Sequence, residues 1–398
     1  ANTDSEKSAA GVMTLEGKGA EAWDPFTGKA HPLRVGRSGN DIRVAYDLPP
    51  AGSLLVCVPD GGTEAPFFGG PSGEWEVYPA SGPLRVAAWE PNVLTLDFCD
   101  LTMDGRTERD LYFYEAQLRT FRRHGLDRNP WDSAVQFKTN ILDRDVFPAD
   151  SGFEATFRFT IGRAVNLKTL EAVVERPSLF RVAVNGRAVE PQPGRFWLDK
   201  AFGVYAVGAH LREGENRLTV TARPFTIHAE LEPVYLRGVF RAVAGDRGFR
   251  IEAARPIVLG AWSDQGWPFC AGPVAYTKMY RVPKGAPGGR DFALRLGRWR
   301  GALGEVRVDD RSLGVILSPP YEIGLGRAMS AGRHRVRVVV YGTLKNPLGP
   351  HHGNPPLGAA WPGNFRKAPP GGRAPGAAYD VRPYGLLDDF EVVTRRSR

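Results

Sequence analysis

Residues 181–189 read RVAVNGRAV, and residues 210–220 read HLREGENRLTV. In the first stretch Val182 and Val184 alternate with small or polar neighbours, the two-residue period of a strand with one buried face. Asn185-Gly186 then offers two residues that tolerate positive φ, which a type I′ hairpin turn requires. In the second, Asn216, Leu218 and Val220 share a face behind Gly214. Each stretch has a later counterpart, GEVRVDDRSLG at 304–314 and SAGRHRVRVVVYG at 330–342. The leading strands match as well, FEATFRFTI at 153–161 with VAYTKMYRV at 274–282. A period of roughly 120 residues lies far above solenoid repeats and predicts two homologous domains.

Strand-like runs fill the rest of the chain: Ile42–Tyr46, Leu54–Val58, Val93–Leu96, Val234–Leu236 and Phe292–Leu296. One helix is expected over Leu111–His124, with Leu111, Tyr114, Leu118 and Phe121 on one stripe and Gly125 as its C-cap. Strands without intervening helices exclude a parallel α/β core and favour antiparallel sandwiches. Gly and Pro number 47 and 33 of 398 residues, which implies many turns. The length predicts more than one core.

The net charge of +8 comes from 52 basic against 44 acidic residues, and 42 of the basic residues are Arg. They are scattered, with no run longer than Arg122-Arg123 or Arg395-Arg396, so the clustered face of a nucleic-acid binder is not expected. No apolar run reaches membrane-spanning length. Cys57, Cys99 and Cys270 are odd in number and far apart, which is neither a disulfide framework nor a metal motif, and leaves the redox compartment open. The start, ANTDSEKSAAGV, lacks both Met and a signal pattern. The expectation is a piece of a larger protein or a processed product.

The strand pair RVAVNGRAV and HLREGENRLTV resembles the closing strands of a galactose-binding-like jelly roll, as in the sugar-binding domain of family 2-type glycoside hydrolases. The second copy departs from that pattern, with Asp309-Asp310 in place of Asn-Gly and His334 in place of Asn. AEAWDPFTGKAHPL, PNVLTLDFCDL, FGVYAVGAHLREGENRLT, IHAELEPVYLRGVF and GTLKNPLGPHH resemble the C-terminal region of large α-L-rhamnosidase-like glycoside hydrolases, over residues 15–392. The resemblance implies an upstream catalytic barrel that has no counterpart in this chain, and a secreted or periplasmic parent. It also implies that residues 1–88 are a partial post-barrel β-sandwich. Residues 89–243 would form one jelly-roll module and 244–398 a second, divergent one with a long Pro/Gly loop.

Candidate chemistry is sparse. Neither GxSxG nor a phosphate-cradling loop occurs. His228, Glu230 and Glu232 in IHAELE alternate along one face, about 6.6 Å apart at the backbone. Glu230 and Glu232 are therefore weak candidates for the carboxylate pair of a glycosidase, though an ordinary polar strand face has the same spacing. Asp143, Arg144 and Asp145 in ILDRDVF read as a salt-bridged turn, and Asp388-Asp389 as solvated. His351 and His352 lack metal-ligand spacing. A structural calcium would suit jelly-roll loops, but Asp143, Asp145 and Asp264 form no calcium-binding ladder, so no cofactor is expected.

Saccharides stack their apolar C–H faces on aromatic rings. The loop LGAWSDQGWPFCAGP offers Trp262, Asp264, Gln265, Trp267 and Phe269, and RNPWDSAVQFKTN offers Trp131, Asp132 and Gln136. Asn346, His351 and His352 in the Pro/Gly-rich excursion are polar candidates for glycan contact, or else ties that hold the excursion down. Large aromatics in such loops also serve as plugs at sandwich ends. The expected function is a non-catalytic, carbohydrate-binding accessory region packed on an upstream catalytic domain. The alternatives are a hydrolase acting through a carboxylate pair within the chain, and a scaffold that binds nothing.

Overall fold

The structure, a computed structural model, describes residues 1–4, 7–25, 28–59, 75–132, 142–284, 290–353 and 361–396. It is all-β. Every named strand pairing is antiparallel except a single parallel bridge between Ile161 and Ile251.

The chain opens with six strands: β1 (Ala9–Glu16), β2 (Ala20–Asp24), β3 (Lys29–Leu33), β4 (Val35–Ser38), β5 (Asp41–Leu48) and β6 (Leu55–Cys57). They form two three-stranded sheets, β1-β5-β4 and β3-β2-β6, over a small core of Ala20, Ile42 and Val44. Two short strands follow, β7 (Glu76–Val77) and β8 (Arg85–Ala88).

The first large sandwich begins with β9 (Asn92–Leu96), β10 (Phe98–Met103), β11 (Arg106–Tyr112) and helix α1 (Phe113–Arg123). It continues with β12 (Phe153–Ile161), β13 (Glu171–Glu175), β14 (Arg181–Val184), β15 (Arg187–Val189), β16 (Phe196–Trp197) and β17 (Asp199–Ala206). β18 (Gly214–Ala222), β19 (Val234–Gly238), β20 (Phe240–Ala244) and β21 (Phe249–Ala253) complete it. One sheet runs β11-β10-β12-β18-β14-β15, with β20 and β21 attached through β12; the other runs β16-β17-β13-β19-β9. The alternation in FEATFRFTI is real: Phe153, Ala155, Phe157, Phe159 and Ile161 are all buried between the sheets.

The second sandwich uses β22 (Val274–Val282), β23 (Arg290–Arg295), β24 (Trp299–Arg300), β25 (Leu303–Val308), β26 (Arg311–Ile316), β27 (Glu322–Gly324) and β28 (Gly332–Tyr341). After single-turn helices α2 (Lys345–Leu348) and α3 (Pro362–Phe365), it closes with β29 (Gly385–Leu386) and β30 (Glu391–Arg396). Its sheets run β26-β25-β28-β22-β8 and β27-β23-β30-β7. Strands β7 and β8 lie ahead of the first sandwich in the chain, so strand pairing crosses residue 88, the expected boundary. The first sandwich is contained within the span of the second. The strand orders match pair for pair, with β10-β12-β18-β14-β15 against β8-β22-β28-β25-β26 and β17-β13-β19-β9 against β27-β23-β30-β7.

The hairpin turns that open the sequence argument are built alike. Asn185 and Gly186 have φ of 49° and 78°, and Asp309 and Asp310 have 49° and 69°. In the first, Asn185 Nδ2 donates to Asn216 Oδ1 at 2.8 Å, and the Arg217 N–H donates to Asn185 Oδ1 at 3.0 Å. In the second, the Arg335 N–H donates to Asp309 Oδ1 at 2.8 Å, and His334 Nδ1 lies 2.7 Å from Asp309 Oδ2. Asn216 Nδ2 reaches Arg212 O at 2.7 Å, as His334 Nε2 reaches Ser330 O at 2.6 Å. The second copy's departure is thus a matched exchange of an Asn–Asn clasp for an Asp–His clasp. Because Asn216 is fully buried, a mismatched partner leaves a polar group unpaired, at about 1–3 kcal/mol. N185D and N216H are each expected to cost that much in chemical denaturation at pH 7. The double variant N185D/N216H should cost clearly less than the sum, and a double-mutant cycle without favourable coupling would contradict the equivalence.

Candidate functional site

Residues 225–233 keep the predicted alternation but are not a sheet strand. Phe225, Ile227, Ala229 and Leu231 are buried in the first core, while Thr226, His228, Glu230 and Glu232 face the other way. Side chains, in place of a neighbouring strand, satisfy part of the backbone. Trp131 Nε1 donates to Ile227 O at 2.7 Å, Arg176 Nη1 to His228 O at 3.3 Å, and Gln117 Nε2 to Leu231 O at 3.2 Å. Asp145 accepts from the Ile227 N–H and the Thr226 hydroxyl, at 2.9 and 3.0 Å. Its carboxylate is an anchor for this segment, a role the salt-bridged-turn reading did not foresee.

The two candidate carboxylates belong to the same scaffold. Glu230 accepts from Asn129 Nδ2 at 2.8 Å and from Arg176 Nη1 at 3.1 Å. Glu232 accepts from Gln117 Nε2 at 3.1 Å. Burial first, then the neighbouring Glu175 and Glu230 charges, push the Glu232 carboxyl up to about 8, against the smaller opposing pull of Gln117 and Arg176. Burial likewise raises Glu175 above the usual carboxylate range.

In front of this scaffold lies a cavity of about 540 Å³. The Trp131 indole, half-buried and stacked on His228 with ring centroids 5.1 Å apart, forms one wall. Arg176, Ser178 and Lys200 add polar groups, and Pro177, Leu179 and Ala201 add apolar surface. No lining residue carries a carboxylate, so Glu230 and Glu232 lie outside the walls. Arg176 reaches its place from an unusual backbone, with φ of 49° immediately before Pro177.

The other candidates are spread elsewhere. Trp262 is 1% exposed, and its Nε1 donates to the Tyr276 hydroxyl at 2.8 Å, so it is a plug of the second core. Trp267 is half-buried against the same core. Gln265 closes its own loop, bonding both the N–H and the carbonyl of Val258, and exposed Asp264 accepts from Ser263 Oγ. Phe269 sits in the first core, so this loop bridges the two sandwiches. Gln136 lies outside the described residues.

Asn346, His351 and His352 are buried and internally bonded, which closes them to a glycan. Asn346 Nδ2 donates to Arg382 O at 2.9 Å, and its Oδ1 accepts from the Arg382 N–H at 2.7 Å. His351 Nε2 bonds Asn346 O at 2.7 Å, and burial holds its imidazole down at about 4. His352 Nε2 lies 2.9 Å from Asp97 Oδ2, and the Tyr379 hydroxyl donates to Asp97 Oδ1 at 2.8 Å. These are the ties that hold the excursion down. Asp388 and Asp389, expected to be solvated, are paired with Arg298 and Lys278 at 2.8 and 2.6 Å.

No family model matches the chain, and no curated protein does. Among solved structures, a rhamnosidase from Novosphingobium sp. PP1Y aligns over 98% of this chain and 22% of its own, at 17% identity and a TM-score of 0.36. A β-D-mannosidase from Dictyoglomus thermophilum aligns over 63% and 31%, at 12% identity and a TM-score of 0.27. A β-glucuronidase from Ruminococcus gnavus aligns over 65% and 41%, at 12% identity and a TM-score of 0.25. The chain therefore spans less than half of each of these proteins. Similarity at this level assigns neither activity nor substrate. Among the described residues, no helix is long and apolar enough to cross a membrane.

Two outcomes follow from this geometry. W262A should cost about 3–5 kcal/mol in chemical denaturation, the scale of a removed core aromatic. W131A, which truncates a half-buried ring, should cost clearly less. For Glu232 the folded pKa of about 8 lies above its ordinary 4.5. Between those values the folded chain binds the extra proton, so stability falls as pH rises through that window. E232Q should remove this slope and be the more stable protein at pH 8, by at least roughly 1.4 kcal/mol, the free energy of a tenfold change in proton affinity. Parallel denaturation curves for the two proteins from pH 5 to 8 would refute it.

Proposed function

We propose that the chain is a non-catalytic, carbohydrate-binding accessory part of a larger glycoside hydrolase, and that saccharide is held in the cavity beside Trp131. One observation carries the reading: an accessible indole bounds a cavity of about 540 Å³ whose other walls mix Arg176, Lys200, His228 and Ser178 with apolar Pro177 and Leu179. A sugar ring has this dual character, with C–H faces for the indole and hydroxyls for the polar groups. The volume lies within the roughly 300–1,000 Å³ of small-molecule sites.

The rival, hydrolysis by Glu230 and Glu232, has less support. A glycosidase needs its two carboxyl groups to flank the scissile bond. Here both are engaged with Asn129, Arg176 and Gln117, behind the cavity walls. The raised Glu232 pKa has a sufficient cause in burial and like charge. A larger parent with an upstream catalytic domain is supported by the sequence resemblance to α-L-rhamnosidase-like hydrolases.

A glycan array on the 398-residue chain, followed by calorimetry on the best binder, tests this reading. W131A and K200A should each weaken binding, W131A by more than tenfold, while both remain folded. Binding unchanged in W131A would move the site elsewhere. Turnover of an aryl rhamnoside by this chain alone would replace the accessory reading with the hydrolase.

A further inference from the structure

A second cavity, of about 420 Å³, opens on the eight-stranded sheet of the first sandwich, whereas the Trp131 cavity borders the five-stranded one. Four arginines line it: Arg109, Arg158, Arg247 and Arg373. They reach it from four separate segments, and the way they converge is specific.

Between β10 and β11 the register jumps, with Cys99 opposite Leu111 but Leu101 opposite Glu108. Arg109 and Asp110 therefore share one partner, Asp100, in a β-bulge. Asp110 takes φ of 56°, the left-handed region that non-glycine residues seldom occupy. Its N–H donates to Asp100 Oδ1 at 2.9 Å. Bulges recur where a strand must re-aim a side chain, and this one turns Arg109 and Asp110 into the cavity.

The opposite wall is made by docking two loops. The Gly248 N–H donates to Ala374 O at 2.8 Å, and the Gly376 N–H to Gly245 O at 2.9 Å. This stitch brings Arg247 and Arg373 over Asp110. Arg247 pairs with its Oδ2, and Arg373 Nε lies 3.3 Å from its Oδ1. Arg158, on β12, is held by Asp100 at 3.0 Å. Arg109 forms no ion pair among the described residues and is exposed.

We propose that this cavity is a second ligand site and takes the carboxylate of an acidic saccharide. Guanidinium groups present planar donor forks that match a carboxylate in pairs. Arg109 and Arg247, both at the exposed mouth, are placed to supply them. A bare inorganic anion fits the site poorly, because 420 Å³ far exceeds its size. Asp110 and Glu215 in the walls, with the Thr160 hydroxyl, are the partners that sugar hydroxyls need. Phe249 contributes an apolar edge. The inference stands independently of the Trp131 reading, because the two cavities share no residue.

The test is calorimetry on the full 398-residue chain with a uronic-acid trisaccharide, its methyl ester, and inorganic sulfate. The free acid should bind saturably and weaken with added salt. R109A/R247A should lose more than tenfold in affinity while remaining folded, since both side chains are exposed and Arg373 still pairs with Asp110. R109K/R247K, which keeps the charge without the fork, should fall in between. W131A should bind the acid normally, which separates a failure here from a failure at the other cavity. The proposal is overturned if the free acid does not saturate the protein, if the methyl ester binds as tightly, or if R109A/R247A binds like wild type. It is equally overturned if sulfate, or a short DNA duplex, competes with the affinity of the trisaccharide itself.

Discussion

A single buried carboxylate organises the centre of the molecule. Asp97 sits between β9 and β10 at 4% exposure, and an isolated charge there would be prohibitively unstable. It is held by His352 and by Tyr379, both from the Pro/Gly-rich excursion that leaves the second sandwich after β28. The Asp97 carbonyl also accepts from the Phe113 N–H at the start of α1. The excursion cannot lift away without leaving this charge unpaired. The aromatic cluster of Phe98, Tyr112, Phe113 and Tyr114 packs around the same point, with Phe365 of α3 added from the excursion. Burial and the nearby Asp97 charge raise the hydroxyls of Tyr112 and Tyr379 far above their ordinary range, so Tyr379 remains a donor at any physiological pH.

The nested chain path adds a second constraint of the same kind. Strand β8 pairs with β22 across the whole first sandwich, with Arg85 opposite Thr277. Closing so long a loop is entropically slow, and such pairings are expected late in folding. The loop between β21 and β22 then enters both cores, with Trp262 in the second and Phe269 in the first. Gly266 within it accepts from Asn92 Nδ2 and from the Ala242 N–H, at 2.8 Å in each case. Two sandwiches joined by a shared strand path, a shared loop and a buried, hydrogen-bonded carboxylate are coupled; loosening the excursion would disturb both.

Much of this was legible in the residues. The all-β class, the long repeat, the two hairpin turns, the helix α1 and the outward face of His228, Glu230 and Glu232 all follow from period and turn chemistry. What was not legible has identifiable causes. Strands as short as β7 and β8 carry too little pattern to reveal a partner on the far side of a whole sandwich. Asp309 and His334 look like decay of a motif until their mutual hydrogen bond is seen. Tryptophan in a Gly/Pro loop has the same sequence context whether it plugs a core, as Trp262 does, or lines a cavity, as Trp131 does. Arg176, Lys200 and the Pro177–Leu179 wall had no signal at all, because only the fold brings them beside Trp131.

The carboxylates near that cavity show how burial sets the character of a surface it does not touch. Burial and the Glu230 charge raise the proton affinity of Glu175, and burial with the Glu175 and Glu230 charges raises that of Glu232. Arg176 compensates Glu230 directly, and Glu232, with its pKa near 8, is mostly protonated at neutral pH. The proton on Glu232 and the Arg176–Glu230 pair thereby lower the negative charge of this acidic cluster. The cavity in front of it is left with the cationic edge of Lys200 and Arg176 and the face of Trp131. The proton on Glu232 thus serves the wall: were it lost, two carboxylates would face each other across the Gln117 and Asn129 amides.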